Sequence, residues 1–178
     1  MSILVLGIGN VIMSDDGIGV RVVQQLAERF RFPDVVTLLD GGTLGLDLLP
    51  QLEGVARLLV VDAVDLAKAP GTLARLSGDD VPIVLETKLS PHQMGLKDLL
   101  AVATLQGFAP VEMVLWGVQP AVIEMGMDLS PPVAAKLETL VQNVLLELAA
   151  WGIRADVLDL CNSTLNRTNS TPSYPLFS

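Results

Sequence analysis

The chain has 178 residues, 51% of them hydrophobic, which suits one packed domain and excludes a disordered chain. Twenty acidic against eleven basic side chains leave a formal net charge of −9, and this argues against nucleic acid or an anionic membrane surface, since both need clustered Lys and Arg. The single cysteine, Cys161, makes no internal disulfide and lacks the paired spacing of a zinc or iron–sulfur site, so a cytoplasmic protein is expected.

The apolar run Ile3–Leu6 leads into Gly7-Ile8-Gly9-Asn10 and then Ser14-Asp15-Asp16-Gly17, a pattern that reads as strand, glycine turn and helix start. No basic segment precedes it and the turn interrupts it, so it is a core strand rather than a signal peptide. Ser14, Asp15 and Asp16 are residue types that cap a helix. Ile18, Val22, Val23, Leu26 and Phe30 then recur at helical spacing, and Val35–Asp40 reads as a second strand closed by Gly41-Gly42. Leu44–Leu52 predicts a short helix with a kink or early end at Pro50.

Leu58–Asp62 is a continuous apolar run of strand length ending in a carboxylate, as a central strand of a parallel sheet would be. Thr72–Leu76 alternates weakly, like an edge strand. Ser90-Pro91-His92 opens a helix carrying Leu96, Leu99, Leu100 and Ala103, and Glu112–Val118 is a last strong strand. Ser130-Pro131-Pro132 starts one long helix with a buried stripe to Leu148, ended by Gly152. No run approaches the roughly 18 apolar residues that span a membrane. The alternation predicts an α/β fold, three layers α/β/α around a twisted, mainly parallel sheet, in a single domain over 1–153. Residues 154–178 are polar and read as a flexible tail, where three Asn-x-Ser/Thr sequons follow from composition alone.

In open α/β sheets ligands bind outside the carboxyl ends of the strands, which is where Asp16, Asp62 and His92 fall. A dinucleotide reading of Gly7-x-Gly9 is disfavoured, because Ile12 replaces its third glycine and two aspartates oppose a pyrophosphate. No Gly-x-Ser-x-Gly elbow is present. Two carboxylates and an imidazole suit a borderline divalent ion such as nickel or zinc, while an aspartate dyad of Asp16 with Asp62 stays open.

The ordered series Gly7-Ile8-Gly9-Asn10, Asp15-Asp16-Gly17-Ile18-Gly19, Asp40-Gly41-Gly42-Thr43, Val61-Asp62-Ala63 and Ser90-Pro91-His92-Gln93-Met94-Gly95 resembles the maturation endopeptidases of nickel–iron hydrogenases. The resemblance implies a peptidase, in some readings of aspartic type, that removes the C-terminal extension of the hydrogenase large-subunit precursor after nickel insertion. It implies that Asp16, Asp62 and His92 are the catalytic and metal-contacting residues. It further implies that nickel arrives with the substrate, and that zinc or cadmium can occupy the same ligands. Asp40-Gly41-Gly42-Thr43 resembles the form in proteases of uptake hydrogenases and implies a role in substrate specificity. The alternatives are a metal-sensing chaperone that binds the same precursor without cutting it, or a dinucleotide-binding domain.

Overall fold

The computed structural model describes residues 2–42, 46–85 and 96–158. Five strands form the main sheet: β1 (Ser2–Ile8), β3 (Val36–Gly42), β4 (Val55–Ala63), β5 (Leu73–Ser77) and β6 (Glu112–Val118), in the order β3-β1-β4-β6-β5. All pairs are parallel except β5 with β6, so the weakly alternating segment is an antiparallel edge strand. Leu4, Leu6, Leu58, Val60 and Leu115 point to one face of the sheet; Ile3, Val5, Leu59, Val61 and Val114 point to the other. Both sides of the central strands are therefore apolar, as a sheet covered twice requires.

Helix α1 (Ile18–Arg29) and helix α6 (Leu137–Ala150) cover the Ile3/Val5 face. The short α2 (Leu49–Leu52), α3 (Asp80–Leu85) and α4 (Leu96–Leu105) lie on the Leu4/Leu6 side, filled by Leu52, Val81, Leu99 and Leu100. Helix α1 buries Ile18, Val20, Val22, Val23 and Leu26. Each contributes about 1.5–3 kcal/mol over exposure, which outweighs the roughly 1 kcal/mol of a side-chain N-cap. None of the three candidate capping residues makes such a bond.

Several local expectations change. The predicted long helix is split into α5 (Pro131–Ala134) and α6. Pro50 sits in the first turn of α2, where a missing N–H costs nothing, so it starts that helix after a 3₁₀ turn at Leu46–Leu48. Helix α3 has no counterpart in the periodicity. Two short strands, β2 (Phe30–Arg31) and β7 (Asp156–Val157), pair antiparallel, and Leu158 N–H donates to the Arg29 carbonyl. Regular structure thus reaches Asp156–Val157, both exposed; residues 159–178 lie outside the described residues.

Helix α1 approaches the sheet closely at Gly19. A Cβ there would lie 2.1 Å from the Val61 carbonyl oxygen and 2.5 Å from that of Ile8, both backbone atoms that cannot move aside. Gly19→Ala is expected to lower stability by about 3 kcal/mol, the upper end for overpacking. A lower urea midpoint with an unchanged slope is the expected readout; an unchanged midpoint would refute the close approach.

Candidate active site

The strand order creates a switch point between β1 and β4. From β1 the chain crosses through α1 to β3 on one side, then returns through α2 to β4 on the other. The crevice outside the carboxyl ends of those two strands is where such sheets bind ligands. The turn that follows β1 carries Asp16, and β4 carries Asp62 next to its last residue. Gly7 pairs with Val61, which brings the two strand ends level. The parallel arrangement on which the sequence-based grouping depended is therefore present.

Within the turn, the 3₁₀ segment Ser14–Gly17 separates the two aspartates sharply. Ser14 has φ +48, the left-handed region in which a serine is strained. Asp15, next in line, is fully buried, while Asp16 is half-exposed. Asp16 Oδ2 accepts the Asn10 N–H at 2.7 Å, and its Oδ1 accepts no hydrogen bond from the described residues. Gly9 makes this fold-back possible: at φ +128, with a hypothetical Cβ only 1.7 Å from the Asp16 carbonyl oxygen, no other residue fits.

Asp15 looks inward, to the segment between β6 and α5. Its Oδ2 accepts the N–H of Ala121 at 2.8 Å, the N–H of Val122 at 3.0 Å and the Ser130 hydroxyl at 2.7 Å. Its Oδ1 accepts the Ser130 N–H at 2.7 Å. Burial by itself pushes this carboxyl up, but the four donated hydrogen bonds, led by the Ser130 hydroxyl, outweigh burial and hold it below its ordinary value. Ser130 does occupy the N-cap position of α5, yet its hydroxyl serves Asp15 instead of the helix. The capping role foreseen for Ser14, Asp15 and Asp16 is thus corrected. Ser14 donates its hydroxyl to the Glu124 carbonyl at 3.0 Å, Asp15 holds a distant loop, and Asp16 closes its own turn.

Asp62 is also fully buried, rather than standing at the rim, and shares strand parity with Leu58 and Val60 on the face covered by α4. In sequence, His92 precedes the first residue of α4 by four positions; it lies outside the described residues, as does Thr43. Among the described residues no three His, Cys, Asp or Glu side chains group closely enough to hold an ion. Asp40, Gly41 and Gly42 end β3 on the same edge. Asp40 Oδ1 accepts the Gly42 N–H at 2.9 Å, and the Gly42 carbonyl accepts the Gly9 N–H at 3.0 Å, which joins this segment directly to the glycine turn. No sequence signal pointed to Ser130 or to 121–130 as partners of the turn, because the contacts span more than a hundred residues.

The fold is a doubly covered α/β sheet with carboxylates at its switch point, and comparison with known proteins gives its class. A family model described as hydrogenase maturation protease matches residues 20–147. The hydrogenase expression/formation protein HupD of Rhodobacter capsulatus is 48% identical over 153 residues, covering 85% of this chain and 73% of the relative. The hydrogenase 2 maturation protease of Escherichia coli K12 is 41% identical over 156 residues, covering 87% and 95%. The solved structure of the E. coli hydrogenase maturating endopeptidase HybD superposes with a TM-score of 0.84 at 40% identity, covering 88% of this chain and 98% of that one. The chain belongs to the hydrogenase maturation protease family. It is accordingly a peptidase whose substrate is the hydrogenase large-subunit precursor.

Because the Asp15 carboxyl binds its proton more weakly in the folded state, it adds stability that is fully present above its ordinary value of 3.8 and is lost as pH falls through the lower folded value. Asp15→Asn is therefore expected to destabilise the protein near neutral pH and to cost less once the pH is well below 3.8. Urea titrations of both proteins across that range check this; an equal deficit throughout would overturn it.

Proposed function

We propose that the chain cuts the C-terminal extension from the hydrogenase large-subunit precursor by recognising nickel already bound there, with Asp16, Asp62 and His92 completing the coordination of that ion. The observation that supports this reading is the placement of two carboxylates at the carboxyl ends of neighbouring parallel strands at the switch point. One is half-exposed and one lies in the low-dielectric interior, where a carboxylate attracts a cation more strongly than in water. Asp16 Oδ1, which accepts nothing from the described residues, is available to such an ion. Carboxylate and imidazole donors suit a divalent nickel, and zinc or cadmium share enough of that preference to occupy the same ligands.

Nickel carried by the substrate supplies Lewis-acid polarisation next to the scissile peptide. The chain's own carboxylates dock that peptide; in the alternative route one aspartate acts directly as the general base that takes a proton from the attacking water. Asp40-Gly41-Gly42-Thr43, joined to the turn through Gly9 and Gly42, selects the uptake-type precursor. The reaction belongs in the cytoplasm, a reading supported by the single cysteine.

Purified protein incubated with nickel-loaded precursor is expected to yield a faster-migrating large subunit, and with nickel-free precursor none. Asp16→Ala and His92→Ala are each expected to slow processing by about a hundredfold or more, as loss of a metal contact does. Full-rate cleavage by both variants would remove the metal-contact model, and binding of the loaded precursor without cleavage would make the protein a chaperone.

A further inference from the structure

The segment 121–130 is fastened along the turn by hydrogen bonds at both of its ends and in its middle. Asp15 takes its first two N–H groups and both donors of Ser130 at its end. Between these, Ser14 N–H donates to the Gly126 carbonyl at 2.8 Å, Gly126 N–H donates to the Ile12 carbonyl at 3.0 Å, and Arg21 of α1 donates to the Met127 carbonyl. A helix-capping aspartate would bond within its own helix; Asp15 bonds instead to residues 106 to 115 positions away. Residues 121–130 are thereby a strap, and Asp15 with Ser130 is its clasp.

The clasp bears on the residue next to it. Asp15 and Asp16 share one short 3₁₀ turn, so a rotation of the turn that released the inward carboxylate would swing the outward one. Ser14, just before them, is held in the left-handed region at φ +48. Strain of this kind persists only where the surroundings over-determine the backbone, and the strap supplies that constraint.

We propose that Asp15 and Ser130 are positioning residues for the cleavage reaction: locked to the strap, Asp15 fixes the orientation in which Asp16 meets the precursor. The inference rests on the reading that Asp16 contacts the substrate. It assigns to the clasp an effect on turnover beyond its contribution to stability, because a reacting geometry is sensitive to displacements of about 1 Å. In Asp15→Asn the amide nitrogen would face a backbone or hydroxyl donor, so at least one of the four hydrogen bonds is replaced by donor against donor. Ser130→Ala removes one bond and leaves the Ser130 N–H in place, whereas Ser130→Thr keeps both donors.

The test is steady-state processing of nickel-loaded precursor over a range of precursor concentrations, with rates expressed per folded molecule by circular dichroism. Asp15→Asn is expected to lower kcat about tenfold with KM within about twofold, the pattern of a contact made in the transition state. Ser130→Ala is expected to lower kcat about three- to tenfold, and Ser130→Thr to restore it to within about twofold of the wild type. Should Asp15→Asn fail to fold, the Ser130 pair carries the comparison. Wild-type kcat per folded molecule in Ser130→Ala, a loss confined to KM, or a Ser130→Thr protein as slow as Ser130→Ala would overturn the proposal. A wild-type protein that leaves the loaded precursor uncut would overturn the peptidase reading itself, and the clasp's role in cleavage with it.

Discussion

The close approach of α1 to the ends of β1 and β4 is the constraint on which the rest of the architecture depends. Gly19 puts helix backbone against the carbonyls of Ile8 and Val61, a contact that a single methyl group would block. With the helix seated there, the turn before it has only the space above the strand ends to occupy, and Gly9 lets it fold back on itself within that space. The carboxylate of Asp16 therefore stands over the edge of the sheet beside β4, which carries Asp62 next to its last residue. Glycines that resemble a phosphate cradle serve here to bring backbone against backbone.

Two adjacent aspartates of the same chemical type have been given opposite environments. Asp15 is buried and its oxygens are supplied with donors from Ala121, Val122 and Ser130, so the cost of removing a carboxylate from water is offset by charge-assisted hydrogen bonds. Asp16 is half-exposed and keeps one oxygen without a donor from the described residues. The first arrangement holds the structure together across the switch point; the second leaves a charge where a cation can meet it. The same division recurs at α5, where the N-cap serine gives its hydroxyl to the carboxylate and its carbonyl alone to the helix.

Elsewhere the framework is stabilised away from this edge. Arg57 at the start of β4 pairs with Glu112 at the start of β6 at 2.9 Å and lies over the Trp151 ring, while Trp151 donates its indole N–H to Glu112. Arg29 of α1 pairs with Glu138 of α6, and Arg75 of β5 with Glu147. These contacts tie α6 to its neighbours at partly solvated positions, where each ion pair is worth about 0–1 kcal/mol.

The fold class and most strands were legible in the sequence, because a strand buried on both faces must be written as a continuous apolar run, as Leu58–Val61 and Met113–Leu115 are. The periodicity of α1 and α4 was equally direct, and the motif series identified the family and the turn that bears Asp16. The order of the strands, the antiparallel direction of β5, the break between α5 and α6, and the pairing of β7 with β2 were decided by tertiary packing. So was the division of labour between Asp15 and Asp16. Local sequence offers two identical carboxylates at a helix start, and capping preference treats both alike. Only the arrival of Ala121, Val122 and Ser130 from more than a hundred residues away decides which one is enclosed, since a hydrogen bond depends on where its partner stands in space and not on how far along the chain it lies.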